Sequence, residues 1–505
     1  MKPLNRYRIS RAGLALLPLV ALAALAAACY NVGTENSWIR VQNMGSQAAT
    51  VEVQYVNENG SVITSETSWP LAPGEGWTFS QAASPNVPKG FLGSAVLISD
   101  QPMAVLMAKD SDRGGGWYQA AGETIALNAG SGKLYLPLVT NRDGMLQDWN
   151  ARFTVLNSGE TTACATLIYT SNVTDSEVHW DPYRPSDSGA ARLPGCPNGG
   201  MPIPPGGSIF RSWFTMGVGP GFTGSVRIEL HKNDRGVAPA RQLVAATADI
   251  WNTNTRHFAS YRGLTFDEMG TDLVLPLLER EANGEWSTDF EIMNSDPSQP
   301  ATITLDISGW DGSQNPPQFI TKHSTFTVRA SRMCFQNSDW FNCLMPGDTL
   351  PRNFYDGTGR IKSNKPIGVI ISRSSNRSES YVNFRAIRTD QAVRKYYLPL
   401  VDKNALGVFN RTGWHSWVRI ITADGGAANI TVRYFGGGLP NGQTSYGLPM
   451  HRSATIIQPW DNALPASFIG SAVIESDRPI VVIVDVVAGS FPGDPDIMYN
   501  AVPAS

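Results

Sequence analysis

The chain has 505 residues, 40 basic and 43 acidic, for a net charge of −3. With only 16% charged residues it offers no extended basic face for a phosphate backbone, so nucleic acid is excluded as an expected partner. Its 48 Gly, 34 Pro and 14 Trp favour short strands and frequent turns over long helices, and the length allows three or four domains.

At the N-terminus, Lys2, Arg6, Arg8 and Arg11 precede an apolar run from Leu14 to Ala28 that closes in small residues. That is the charge, core and cleavage order of an export signal, so residues 1-28 are expected to be a signal peptide. The mature protein is then extracytoplasmic, at the cell surface or secreted. Pro18 within the run, and a length under the ~20 residues needed to span, argue against a retained anchor. Ala26-Ala27-Ala28-Cys29 resembles the lipobox of bacterial lipoproteins, which implies lipidation of Cys29. Ordinary cleavage after Ala28 is the alternative. Membrane contact is expected only through such a lipid.

Beyond this point the chain repeats. Ser37 to Tyr55, Arg152 to Tyr169 and Ser416 to Tyr434 superimpose without a gap, and a fourth copy starts at Phe290. From the second unit onward each copy opens with an apolar tetrad: Leu136-Pro137-Leu138-Val139, Leu275-Pro276-Leu277-Leu278 and Leu398-Pro399-Leu400-Val401. Proline cannot donate a ladder hydrogen bond, which suits an edge or entry strand. Trp149, Trp286 and Trp414 recur at one phase and are expected to plug one end of each unit. Asn43, Asn157 and Asn294 recur before a turn, with Thr422 in the last copy, and Asn suits such turns by bonding its own backbone.

Pro73-Gly74, Pro205-Gly206 and Pro346-Gly347 mark a later turn. The sharpest signature follows as Gly90-Phe91-Leu92-Gly93-Ser94, Gly221-Phe222-Thr223-Gly224-Ser225 and Ser467-Phe468-Ile469-Gly470-Ser471. Hairpins are expected at Ser99-Asp100-Gln101-Pro102, Ser363-Asn364-Lys365-Pro366 and Ser476-Asp477-Arg478-Pro479, each leading into an apolar strand. Seven or eight strands over about 100 to 130 residues point to a two-sheet antiparallel sandwich. The expected organisation is all-β, with four tandem β-sandwich units at 29-125, 133-265 (carrying an insertion at 171-209), 272-390 and 395-505. Strung end to end, such units would reach more than about 100 Å.

Of the five cysteines, Cys29 lies at the signal boundary, while Cys164 with Cys196 and Cys334 with Cys343 fall within single repeats. Disulfides in an oxidising compartment are expected for both pairs, since neither has the close spacing of a metal site. Catalytic signatures are missing: the six His are scattered, Ala129-Gly130-Ser131-Gly132-Lys133-Leu134 only imitates a phosphate loop, and no nucleophile elbow occurs. Asp110-Ser111-Asp112-Arg113-Gly114 opens like a calcium loop but has Ala121 in place of the closing Glu. The reading is therefore non-enzymatic, with no cofactor and no metal. Departures from the repeat are the better candidates for binding: Trp180, Tyr183 and Arg184 in the insertion, and Trp340 and Phe341 in the Cys334 to Cys343 loop.

From about residue 34 to 503 the units resemble the immunoglobulin-like or fibronectin-type-III-like domains strung along secreted and surface proteins of bacteria. The resemblance is architectural, because the inter-sheet Cys bridge of antibody domains is absent. It implies adhesion or scaffolding, with a cell-surface protein or a polysaccharide as partner. Two other readings stand beside it: a carbohydrate-binding module array, and a structural subunit of a surface layer or fibre.

Overall fold

Strict alternation lays down the strands. In Val51–Asn57 the side chains of Val51, Val53 and Tyr55 are fully buried while Glu52 and Gln54 are not. Ala301–Asp311 and Ala428–Phe435 bury every second residue in the same way. The structure is a computed structural model describing residues 21–32, 35–112, 118–125, 130–143, 148–172, 177–182, 193–329, 333–336, 350–406, 412–436, 439, 442–448, 453–488 and 493–504.

Each repeat segment builds two antiparallel layers. In the third, Gln318–Val328, Ala301–Asp311, the first half of Phe354–Ser375 and Gly270–Arg280 form one layer. Met333–Gln336, Trp286–Asn294, the second half of Phe354–Ser375 and Tyr381–Arg385 form the other. The hairpin expected at Ser363 to Pro366 is instead a crossing. One 22-residue strand passes from layer to layer there, and Phe468–Val487 does the same in the last copy. Pro366 and Pro479 lack an N–H, so the ladder can be interrupted at the crossing without a buried donor going unpaired. In the first copy Leu92–Ser99 and Met103–Asp112 are separate strands but pair into different layers, so Ser99 to Pro102 is also a crossing and not the expected hairpin.

The repeated residues recur as repeated contacts. Tyr55 with Phe91, Tyr169 with Phe222 and Tyr434 with Phe468 pack edge to face at 6.2, 6.2 and 6.1 Å. Gly93, Gly224 and Gly470 lie so near the carbonyls of Val56, Thr170 and Phe435 that a Cβ would sit 2.2, 2.0 and 2.2 Å away. That close approach explains the second glycine of the signature. The Asn43 and Asn157 side chains donate to Leu71 and Ile203 carbonyls, while their Oδ1 atoms accept from the N–H two residues on.

Ala21–Val32, within and just past the run read as an export signal, lies along Leu92–Ser99 with Leu25 opposite Ala95 and Cys29 opposite Gly93. Elsewhere the proline tetrads hold that place: Leu136 faces Val226 and Val139 faces Gly224, and Leu398 faces Ala472 and Val401 faces Gly470.

Four main apolar clusters form, one largely from each segment, and each but the first's takes residues from a neighbour. Met293 and Ile370 join the second cluster, Ile483 and Met498 the third, and Trp38, Leu106 and Ala120 the fourth. The segments close a cycle. Ser94 Oγ donates to Gly206 O at 3.1 Å, and Ser471 Oγ repeats the contact from the last segment to the first, on Gly74 O at 2.6 Å. Arg40 Nε donates to Pro399 O and Arg419 Nε to Pro276 O, again one contact used twice around the cycle. Gly493–Asn500 pairs parallel with Tyr118–Ile125, joining the last segment to the first edge to edge. The extended string expected from the sequence is thus replaced by a closed four-segment arrangement. The apolar and charged surfaces that would flank flexible linkers are buried against the next copy.

Two of the recurring tryptophans serve these junctions. Trp149 packs 4.6 Å from Tyr381 of the third segment, and Trp286 lies 3.7 Å under the Arg373 guanidinium; Trp414 is a core residue.

Candidate functional site

The closing strands of the four copies meet at the centre. Thr124, Arg262, Arg385 and Asn500 occupy one register position, opposite Leu106, Thr247, Ile370 and Ile483. Thr124 Oγ1 donates to Asn500 O at 2.6 Å, Asn500 Nδ2 to Arg385 O at 2.9 Å, and the Arg385 N–H to Asn500 Oδ1 at 2.8 Å. Glu268 enters from the short 3-10 turn Phe266–Glu268, which Thr265 and Glu268 cap reciprocally. Its carboxylate takes both Nη atoms of Arg262 and, at 3.0 Å, Nη1 of Arg385. Glu123 stands 3.6 Å from Arg385 Nη2.

Burial alone would raise the Glu268 carboxyl, but Arg262 and then Arg385 outweigh it and hold it down at about 2. Glu123 goes the other way, because burial raises its carboxyl more than Arg385 and Arg262 lower it. A second cluster joins the first two segments. Asp249 accepts from Lys109 Nζ at 2.6 Å, Arg152 Nε at 2.8 Å and Ser260 Oγ at 2.5 Å. Burial opposes ionisation there too, yet Lys109 and Arg152 bring Asp249 down to about 2.

These arrangements clamp segments together and assemble no nucleophile. Thr166 Oγ1 lies 2.9 Å from His231 Nε2, but Thr166 is fully buried in a strand. Among the described residues, no group of three or more His, Cys, Asp or Glu could hold a metal ion. Asp110, from the calcium-like run, is buried, and Asn36 Nδ2 lies 3.4 Å from both its carboxylate oxygens.

Asp402 supplies a pH test. Burial raises its carboxyl to about 7 from 3.8, with Arg40 offsetting only part. A carboxyl raised on folding contributes stability that is complete below pH 3.8 and lost as pH rises through about 7. Asp402→Asn is therefore expected to flatten the decline in urea midpoint across that window. An unchanged pH slope in the variant would refute the assignment.

Of the residues singled out by sequence, Cys164 and Cys196 are joined, with Cα atoms 5.6 Å apart. Trp180 lies on Glu177–Asp181 opposite Ile168 and is half-buried. Cys29 is placed by its backbone on the strand along Leu92–Ser99, and Cys334 by its backbone opposite Ile292. Tyr183, Arg184, Trp340, Phe341 and Cys343 lie outside the described residues.

Sequence reasoning passed over the exposed aromatics. Phe214 is 73% and Trp460 76% exposed, and Phe214 stacks on Trp213 with centroids 3.4 Å apart. Phe214 follows Ser208–Arg211 and Trp460 follows Ser453–Ile457. An aromatic residue at the same place past the end of two strands was the available signal.

No protein-family model and no curated protein matches the chain. Among solved structures, one similar chain is a crystal structure of a tetra-tandem repeat in the extending region of a large adhesion protein. Identity is 9%, over 96% of this chain and 100% of that one, with a TM-score of 0.12. A likeness of that size carries no argument.

Proposed function

We propose that the chain is a non-enzymatic, extracytoplasmic surface protein whose four immunoglobulin-like sandwich units form a closed scaffold for adhesion or assembly. A lipid on Cys29 is its proposed membrane attachment. The observation that carries this reading is the cycle of buried inter-segment contacts. Such a cycle fixes the outward loops relative to one another and fills most of the described interior with packing and ion pairs. The Cys164 to Cys196 bridge agrees with an oxidising compartment. Mass spectrometry of the mature N-terminus from the native membrane fraction tests the placement. A diacylated Cys29 is expected, and an unmodified chain beginning upstream of Ala21 would overturn both export and anchoring.

Capture of polysaccharide is a second reading, favoured by exposed Phe214, stacked on half-buried Trp213, and by exposed Trp460. Flat aromatic faces stack on sugar rings. Phe214→Ala with Trp460→Ala should abolish retention on immobilised cell-wall polysaccharide. Stability should move by no more than about 0.5 kcal/mol, since both side chains are at the surface. Full retention by the folded variant would leave the scaffold reading alone.

A further inference from the structure

Beside the central ion cluster lies a cavity of 410 Å³ to which all four segments contribute. That size falls within the range of small-ligand sites. Its polar wall includes Arg262 and Arg385, which are 4% and 7% exposed. Each keeps an Nε–H without a hydrogen-bond partner. Those Nε atoms are themselves closed off, so an acceptor in the cavity is met by the guanidinium edges that line it, and it offsets the shortage of acceptors around the two groups. Ile387, Tyr396, Val482 and Ala504 line the apolar wall.

The charge balance points the same way. Glu268 pairs with both arginines, whereas Glu123, the other buried carboxyl, is disfavoured as an anion by its burial. Two guanidinium groups thus share Glu268, the one carboxylate hydrogen-bonded to both of them. Asp267 also borders the cavity but is exposed to solvent, where its charge is screened.

We propose that this cavity binds a small organic carboxylate with an apolar body, its oxygens accepting from Arg262 and Arg385 and its chain lying against Ile387, Tyr396 and Val482. The site is independent of the outward loops proposed for adhesion. Because all four segments line it, occupancy ties them together at the centre.

Hexanoate, hexanol and inorganic phosphate serve as probes on the full chain, read by calorimetric titration and thermal unfolding. Hexanoate at about 10 mM is expected to bind one per chain and raise the unfolding midpoint. Hexanol and phosphate should each bind about tenfold or more weakly, the first lacking the charge and the second the apolar body. Ala504→Trp fills the cavity from the chain's last described residue without touching the ion cluster, and should abolish the effect. If that variant misfolds, Val393→Phe, from another lining residue, takes its place. Equal binding of hexanol, no binding of hexanoate, or undiminished binding in the folded filled variant would each overturn the site.

Discussion

Replacing Arg373 by alanine is expected to destabilise the protein by about 3–5 kcal/mol, the cost of breaking a buried pair from one side. Arg373 is 6% exposed overall and lies between segments three and four. Its Nε donates to Glu279 Oε2 at 2.7 Å and its Nη1 to Asp485 Oδ2 at 3.0 Å, with the guanidinium over Trp286. Burial lowers its proton affinity, but Glu279 and Asp485 together more than restore it. Truncation would leave two carboxylates facing each other in a poorly hydrated junction, and Asp485 Oδ1 already lacks a partner. Adding Glu279→Gln and Asp485→Asn to Arg373→Met should recover most of the loss, because the uncompensated charges go with the cation. Urea midpoints of the variants decide the matter. A single variant within about 1 kcal/mol of wild type would mean that the junction is wet and the cycle loosely closed.

The units were legible because their signals are local. Alternation, the Asn turns and the second glycine of the signature each depend on contacts inside one copy, and each recurs in register. The closed arrangement was not legible, because its central residues are not held constant by the repeat and its recurring contacts carry no local sign of reaching a neighbour. At the central position stand Thr124, Arg262, Arg385 and Asn500, four side chains with no shared chemistry until their strands are brought together. Arg40 and Arg419 do recur, but nothing local tells a buried arginine reaching a neighbour's proline carbonyl from one in solvent. The layer crossings at Pro366 and Pro479 were read as hairpins for a similar reason: a turn-like string marks an interrupted ladder, whichever way the chain then goes.

The binding candidates divide along the same line. Trp180 was chosen for its place in an insertion, and it proved half-buried opposite Ile168, while Phe214 and Trp460 are the most exposed rings among the described residues.

Removing the Cys164 to Cys196 bridge is the second change expected to weaken the protein strongly. The two residues are 32 positions apart, so on the chain-entropy model the cross-link stabilises by roughly 3–4 kcal/mol. Both are fully buried; the enclosed stretch supplies Glu177–Asp181, Met201–Ile203 follows just after Cys196, and both add to the same strand, Ala163–Ser171. Without the bridge those edge strands keep their ladders and the Arg211 to Asp181 pair at 2.5 Å, so the fold should survive at lower stability. Cys164→Ala with Cys196→Ala should lower the urea midpoint by an amount corresponding to about 3 kcal/mol. Hydrogen exchange should quicken first in Glu177–Asp181 and Met201–Ile203 and leave Ala428–Phe435, on another segment, protected. Equal loss of protection in both places would show that the segments unfold as one unit. A midpoint unchanged by the double substitution would show that the ladders and the ion pair hold the insertion without the cross-link.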